Sequence, residues 1–154
     1  GNLGAILRTA DAAGVDAVVI TSQPDGGGTD IHNPNVVRAS LGALFTVPVV
    51  EASAHELLSW LRQNQIEIAV LTPEGDRPYT QTNLQGRVAL VLGSEAFGVH
   101  PQWLAEARLR LRIPMFGKLD SLNLSVATAV VVFEAIRQRH GIAQTALQDA
   151  RQDT

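Results

Sequence analysis

At 154 residues, 45% apolar and 18% charged, the chain suits one globular domain with a sizeable core. It has no cysteine, which excludes disulfides, thiolate metal sites and a cysteine nucleophile, and no apolar run approaches the ~18–20 residues of a membrane span. The net charge of −3 argues mildly against a dedicated RNA-binding domain, but every cation except Lys118 is an arginine, whose forked guanidinium suits bidentate phosphate contact.

In chain order, Leu3, Ile6, Leu7 and Ala10 recur at helical spacing, so Leu3–Ala13 is predicted helical with Gly14 as its stop. Ala17–Ile20 reads as a short buried strand and Gln23–Thr29 as a turn-rich loop. The Asn33-Pro34 pair starts a second helix, which carries Val36, Val37, Arg38 and Ser40. Val47–Val50 is a strand that Pro48 confines to an irregular or edge position. Ser53 and Glu56 form a capping box at the head of a helix over Ala54–Asn64. Ile66–Leu71 is strand-like and ends at Thr72-Pro-Glu-Gly75. Arg77–Arg87 reads as loop, Val88–Leu92 as a buried strand, Pro101–Ala107 as a short helix and Leu109–Ile113 as a further strand. Leu122–His140 is helical by length despite its β-branched run, with Gly141 marking its end and a frayed or separately helical tail beyond.

Strands alternating with helices imply an α/β fold, a mostly parallel sheet flanked by helices that binds ligand at the carboxyl ends of its strands. No repeat or linker interrupts residues 1–154, which read as one domain. His32, His55, His100 and His140 lack metal-ligand spacing and read as structural or surface residues, so no metal is expected. The absence of a G-x-G-x-x-G run gives no sign of a dinucleotide site.

Three segments carry chemistry. The opening GNLGAILRTADAAG places Asn2 and Arg8 on one helix start. VALVLGSEAFGV delivers Gly93, Ser94, Glu95 and Gly98 at the end of a buried strand, a common way to build a ligand crevice. IPMFGKLDSLNLS sets Ser121, Asn123 and Ser125 where a loop enters a long apolar segment. Two readings of that junction stand on the residues alone: helix capping, or a ligand held by hydroxyls, amides and exposed backbone N–H groups.

Taken together and in this order, the segments resemble the SpoU/TrmH family of RNA ribose 2′-O-methyltransferases within the SPOUT superfamily, over about Gly1–Arg139. The family's asparagine, with arginine six residues on, matches Asn2 and Arg8. Its G-[SN]-E-x-x-G matches Gly93, Ser94, Glu95 and Gly98, and its IPM followed by SLN-x-S matches Ile113, Pro114, Met115, Ser121, Leu122, Asn123 and Ser125. The resemblance implies a deep C-terminal trefoil knot, a homodimer and S-adenosylmethionine as methyl donor, leaving S-adenosylhomocysteine. The implied catalytic set is Asn2, Arg8, Glu95, Ser121 and Asn123, with Glu95 orienting Asn2 or Arg8. Gly93, Ile113, Met115 and Leu122, with Thr72 and Gly75 closing the pocket, are the expected cofactor residues, and Arg8 and Arg38 the expected RNA contacts.

An arginine does not act as a literal base, because guanidinium keeps its proton (pKa above ~12). Arg8 is therefore expected to grip phosphate and polarise the 2′-hydroxyl, the proton leaving to the phosphate or to water. The expected substrate is structured RNA, with ribosomal RNA favoured over tRNA on the look of Arg38–Ala43 and the third motif, and the expected setting is the cytoplasm. A catalytically silent RNA-binding or dimerisation module and an RNA base methyltransferase of the same superfamily are the rival readings. Residue 1 is not methionine and falls next to the first motif residue, so an N-terminal portion is expected to be missing.

Overall fold

The structure, a computed structural model, describes residues 2–22 and 33–152. The turn-rich loop expected at 23–29, and His32, lie outside the described residues. The chain divides into two compact units, one formed by residues 1–66 and 122–129, the other by 67–121 and 130–154.

The first unit runs α1 (Asn2–Ala13), β1 (Val18–Ser22), α2 (Pro34–Ser40), a 3-10 turn (Ala43–Phe45), β2 (Val49–Ser53) and α3 (Ala54–Gln63). Helix α1 closes as its sequence predicts: Gly14 N–H donates to the Asp11 carbonyl and Val15 N–H to that of Ala10, a Schellman pairing that satisfies two orphan carbonyls. At α2 the Asn33 side chain accepts from Asn35 N–H, with Pro34 in the first turn. At α3 the capping box is complete in both directions, Ser53 Oγ accepting from Glu56 N–H and the Glu56 carboxylate from Ser53 N–H. The Ser53 hydrogen bonds hold the Glu56 carboxyl below its ordinary range.

Strands β1 and β2 pair in parallel, Val18 opposite Val49 through Ser22 opposite Ser53. Pro48 stands just before β2 rather than inside it; it needs no N–H there, and its carbonyl accepts from Val18 N–H. The core of this unit is Leu7, Val36 and Ala43, with Leu3, Val18, Leu44 and Val49 packed against them. Helices α1 and α2 meet so closely at Gly4 that a Cβ there would lie 2.5 Å from that of Ala39 and 2.8 Å from the Val36 carbonyl oxygen.

In the second unit β3 (Glu67–Leu71), β4 (Arg77–Pro78), β5 (Val88–Leu92) and β6 (Leu109–Arg112) form an all-parallel sheet in the order β4-β6-β3-β5. Parallel strands need crossovers and covered faces, which explains the near-continuous apolar runs of β3 and β5. Helix α4 (Pro101–Glu106) precedes β6, and the His100 imidazole accepts from Gln102 N–H at its start, a structural role for that histidine. Buried Ala69, Leu84, Leu111 and Val131 make the core, joined by Leu71, Tyr79, Leu90 and Ile113 among others.

Two expectations are corrected here. The span 77–87 is not loop throughout, because Arg77–Pro78 pairs with Leu111–Arg112 and a 3-10 turn follows at Tyr79–Gln81. Nor does Gly141 end the last helix: α5 runs unbroken from Leu124 to Gln152. A single interior glycine costs a helix only about 0.5–1 kcal/mol, which flanking residues of good helix propensity offset.

Helix α5 also supplies what the segment after the 3-10 turn lacks. Gln138 accepts from Leu84 N–H at 2.8 Å and donates to the Thr82 carbonyl at 2.9 Å, while Arg139 donates to the carbonyls of Leu84 and Gly86. Backbone with no strand neighbour is thereby satisfied by side chains.

Candidate functional site

In the second unit the register sets three strand ends level, for Leu71 of β3 lies opposite both Leu92 of β5 and Leu111 of β6. A motif-bearing loop leaves each end: 72–75 after β3, 93–98 after β5 and 113–121 after β6. This is the edge at which open parallel sheets bind ligands.

The first loop is clamped to β6. Thr72 N–H donates to the Leu111 carbonyl, and Arg112 donates to the carbonyl of buried Gly75 at 2.8 Å. A Cβ on Gly75 would sit 2.4 Å from the Leu111 carbonyl group, so only glycine permits this contact. The Thr72 hydroxyl donates to the Glu74 carboxylate and holds that carboxyl below its ordinary range.

The second loop closes on itself. Ser94 and Gly98 exchange backbone hydrogen bonds of 3.2 and 2.8 Å, and Ser94 Oγ accepts from Phe97 N–H. Glu95 therefore sits exposed on a tight turn at the tip of β5. Glycine at Gly93 is dictated by Gly98, because a Cβ there would come 2.1 Å from its carbonyl carbon. In the third loop Ile113 and Met115 are half-buried and Ser121 is exposed, and Ile113 packs on the core as well.

The remaining residues belong to the first unit. Asn2 opens α1 half-buried, Arg8 is exposed on the same helix, and Arg38 is exposed on α2. Leu122 and Asn123 precede α5, both exposed. The Asn123 carboxamide oxygen accepts from Ser125 N–H at 3.0 Å and Ser125 Oγ at 2.6 Å, so the capping role foreseen for this residue is present. The set thus falls into two groups: Asn2, Arg8, Arg38, Leu122 and Asn123 in one unit, Thr72, Gly75, Gly93, Glu95, Ile113, Met115 and Ser121 in the other.

Two contacts close to these residues left no mark in the sequence. Arg112 reaches Gly75 across 37 positions and Thr46 reaches Asp11 across 35, and no local pattern encodes pairings at such distance. Among the described residues no group of three or more His, Asp or Glu could hold a metal ion, and no helix is long and apolar enough to cross a membrane.

The model of the SpoU rRNA methylase family matches residues 1–133. The 23S rRNA (guanosine(2553)-2′-O)-methyltransferase RlmP of Bacillus subtilis is 35% identical over 134 residues, 86% of this chain and 52% of that protein. A solved RNA 2′-O ribose methyltransferase is 42% identical with a TM-score of 0.80, covering 90% of this chain and 52% of the other. The AdoMet-bound rRNA methyltransferase of Sinorhizobium meliloti is 34% identical with a TM-score of 0.81, over 88% and 51%. The chain spans about half the length of each of these three relatives. Motif order, parallel α/β architecture and the family match agree, and the chain belongs to the SpoU rRNA methylase family.

Proposed function

We propose that the chain is the catalytic portion of an S-adenosylmethionine-dependent enzyme that methylates a ribose 2′-hydroxyl of structured RNA, with ribosomal RNA as substrate. The observation that carries this reading is the level ending of β3, β5 and β6, which sets three motif loops along one sheet edge. Half-buried Ile113 and Met115 beside these loops fit the apolar face of a nucleoside. Thr72, Gly75, Gly93, Ile113, Met115 and Leu122 would hold the cofactor, which supplies a methyl group activated by its attachment to a sulfonium.

Asn2, Arg8, Glu95, Ser121 and Asn123 form the proposed catalytic set. A ribose hydroxyl is a weak nucleophile at neutral pH, so positioning carries most of the work; held geometry contributes about 7–11 kcal/mol in favourable cases. Arg8 pairs with an RNA phosphate and polarises the hydroxyl, and the proton passes to that phosphate or to water. Ser121 and Asn123 fix the ribose, and Arg38 adds a phosphate contact. The deep C-terminal knot, the homodimer and a cytoplasmic setting belong to the same proposal.

The test is transfer of labelled methyl from S-adenosylmethionine to unmodified 23S rRNA transcribed in vitro, followed by digestion to nucleosides. Label on a ribose 2′-oxygen is expected. Label on a base would make the chain a base methyltransferase, and RNA binding without cofactor binding or transfer would make it a silent module.

A further inference from the structure

The turn over Ala43–Val47 sets two residues on the core and turns the one midway between them outward. Ala43 is 5% exposed and Val47 6%, while the large aromatic between them, Phe45, stands 80% in water. Phe97 and Phe116 are likewise exposed, but Phe45 is carried by a turn that packs on the arginine-bearing helices α1 and α2.

The backbone that carries this ring is fixed. The Thr46 hydroxyl donates to the Asp11 carboxylate at 2.7 Å and accompanies a 3-10 turn that packs on α1 and α2. Asp11 lies three residues after Arg8 on α1, one turn along the same face. The close α1–α2 approach at Gly4 fixes the second exposed arginine, Arg38, to the same body. Leu41, at the end of α2, is held at φ 51° and is 70% exposed.

From this we infer that Phe45 is a base-stacking residue, which receives an unpaired base of the RNA while Arg8 and Arg38 hold its phosphates. The inference rests on RNA being the substrate and adds how a single-stranded part of it is recognised. Single-stranded loops are read by aromatic stacking combined with arginine contacts.

The test compares the wild-type chain with Phe45→Ala and Phe45→Trp. Affinity is read by fluorescence anisotropy for an RNA hairpin with a single-stranded loop and for a fully paired duplex of equal length. Phe45→Ala is expected to lose about 5- to 100-fold on the hairpin and less than twofold on the duplex, at unchanged melting temperature, with Phe45→Trp restoring binding. Hairpin affinity equal to wild type, or an equal loss on both probes, overturns the inference. So does a change of oligomeric state by light scattering at unchanged RNA affinity, which would make a second copy the occupant. A wild type that binds the hairpin through Phe45 but transfers no methyl sinks the proposed function and leaves the stacking role standing.

Discussion

Gly93 and Gly98 lie so close that a single added methyl on the first would collide with the carbonyl of the second, at 2.1 Å. Backbone atoms cannot step aside as a flexible side chain can. Gly93→Ala is therefore expected to displace the loop that carries Glu95, with an overpacking cost of about 1–3 kcal/mol. Titration calorimetry should show S-adenosylmethionine affinity reduced by about tenfold or more, accompanied by a lower urea midpoint. Wild-type affinity in Gly93→Ala would separate this loop from the cofactor site.

Arg8 is exposed on α1, so its removal should leave the fold intact. Arg8→Ala is expected to lower methyl transfer by about 100- to 1,000-fold, the usual loss for a preorganised donor at a reacting centre, with cofactor affinity unchanged. Arg8→Lys should recover little, because an ammonium cannot reproduce the bidentate fork. Steady-state transfer to RNA, paired with cofactor titration, checks both statements.

Gln138 serves two backbone groups at once, Leu84 N–H and the Thr82 carbonyl. Gln138→Ala leaves both without their partner and is expected to cost about 1–3 kcal/mol, read from urea unfolding. Gln138→Glu should recover only the bond from Leu84 N–H, since a carboxylate accepts and does not donate.

Glu134 gives the acid limb of stability its form. Its carboxyl is pulled from 4.5 to about 2, first by hydrogen bonds from Arg137, against the opposing effect of burial, with help from Gln138. A carboxyl lowered in the folded state stabilises fully above its unfolded value and loses that contribution as pH falls through the folded one. Stability from this group should thus decline between about pH 4.5 and pH 2. With Arg137 largely exposed, the contribution is about 1 kcal/mol. Glu134→Gln should flatten the urea midpoint over that interval and leave it nearly unchanged above pH 5 relative to its own plateau.

Local signals were legible in the sequence and distant ones were not. The Ser53–Glu56 box and the Asn33-Pro34 start are each written within four residues, and both caps form as expected. Val88–Leu92 is bounded by an abrupt change in polarity, and its predicted limits coincide with β5. The pair Arg77–Pro78 is a strand only because β6 lies beside it, a fact absent from residues 77–87 themselves. Gly141 misled because a local stop signal was outweighed by helix propensity on both sides. At the candidate site the motif residues were visible, whereas the contacts that shape their loops, Arg112 to Gly75 and Gly93 against Gly98, required the folded chain.

The use of Gln138 and Arg139 as substitute partners for residues 82–86 orders events in time. During synthesis that stretch leaves the ribosome more than fifty positions before the side chains that complete it. Unit two must then wait, unfinished at its middle, until α5 docks, and the amide proton of Leu84 becomes a built-in clock for that docking in hydrogen exchange.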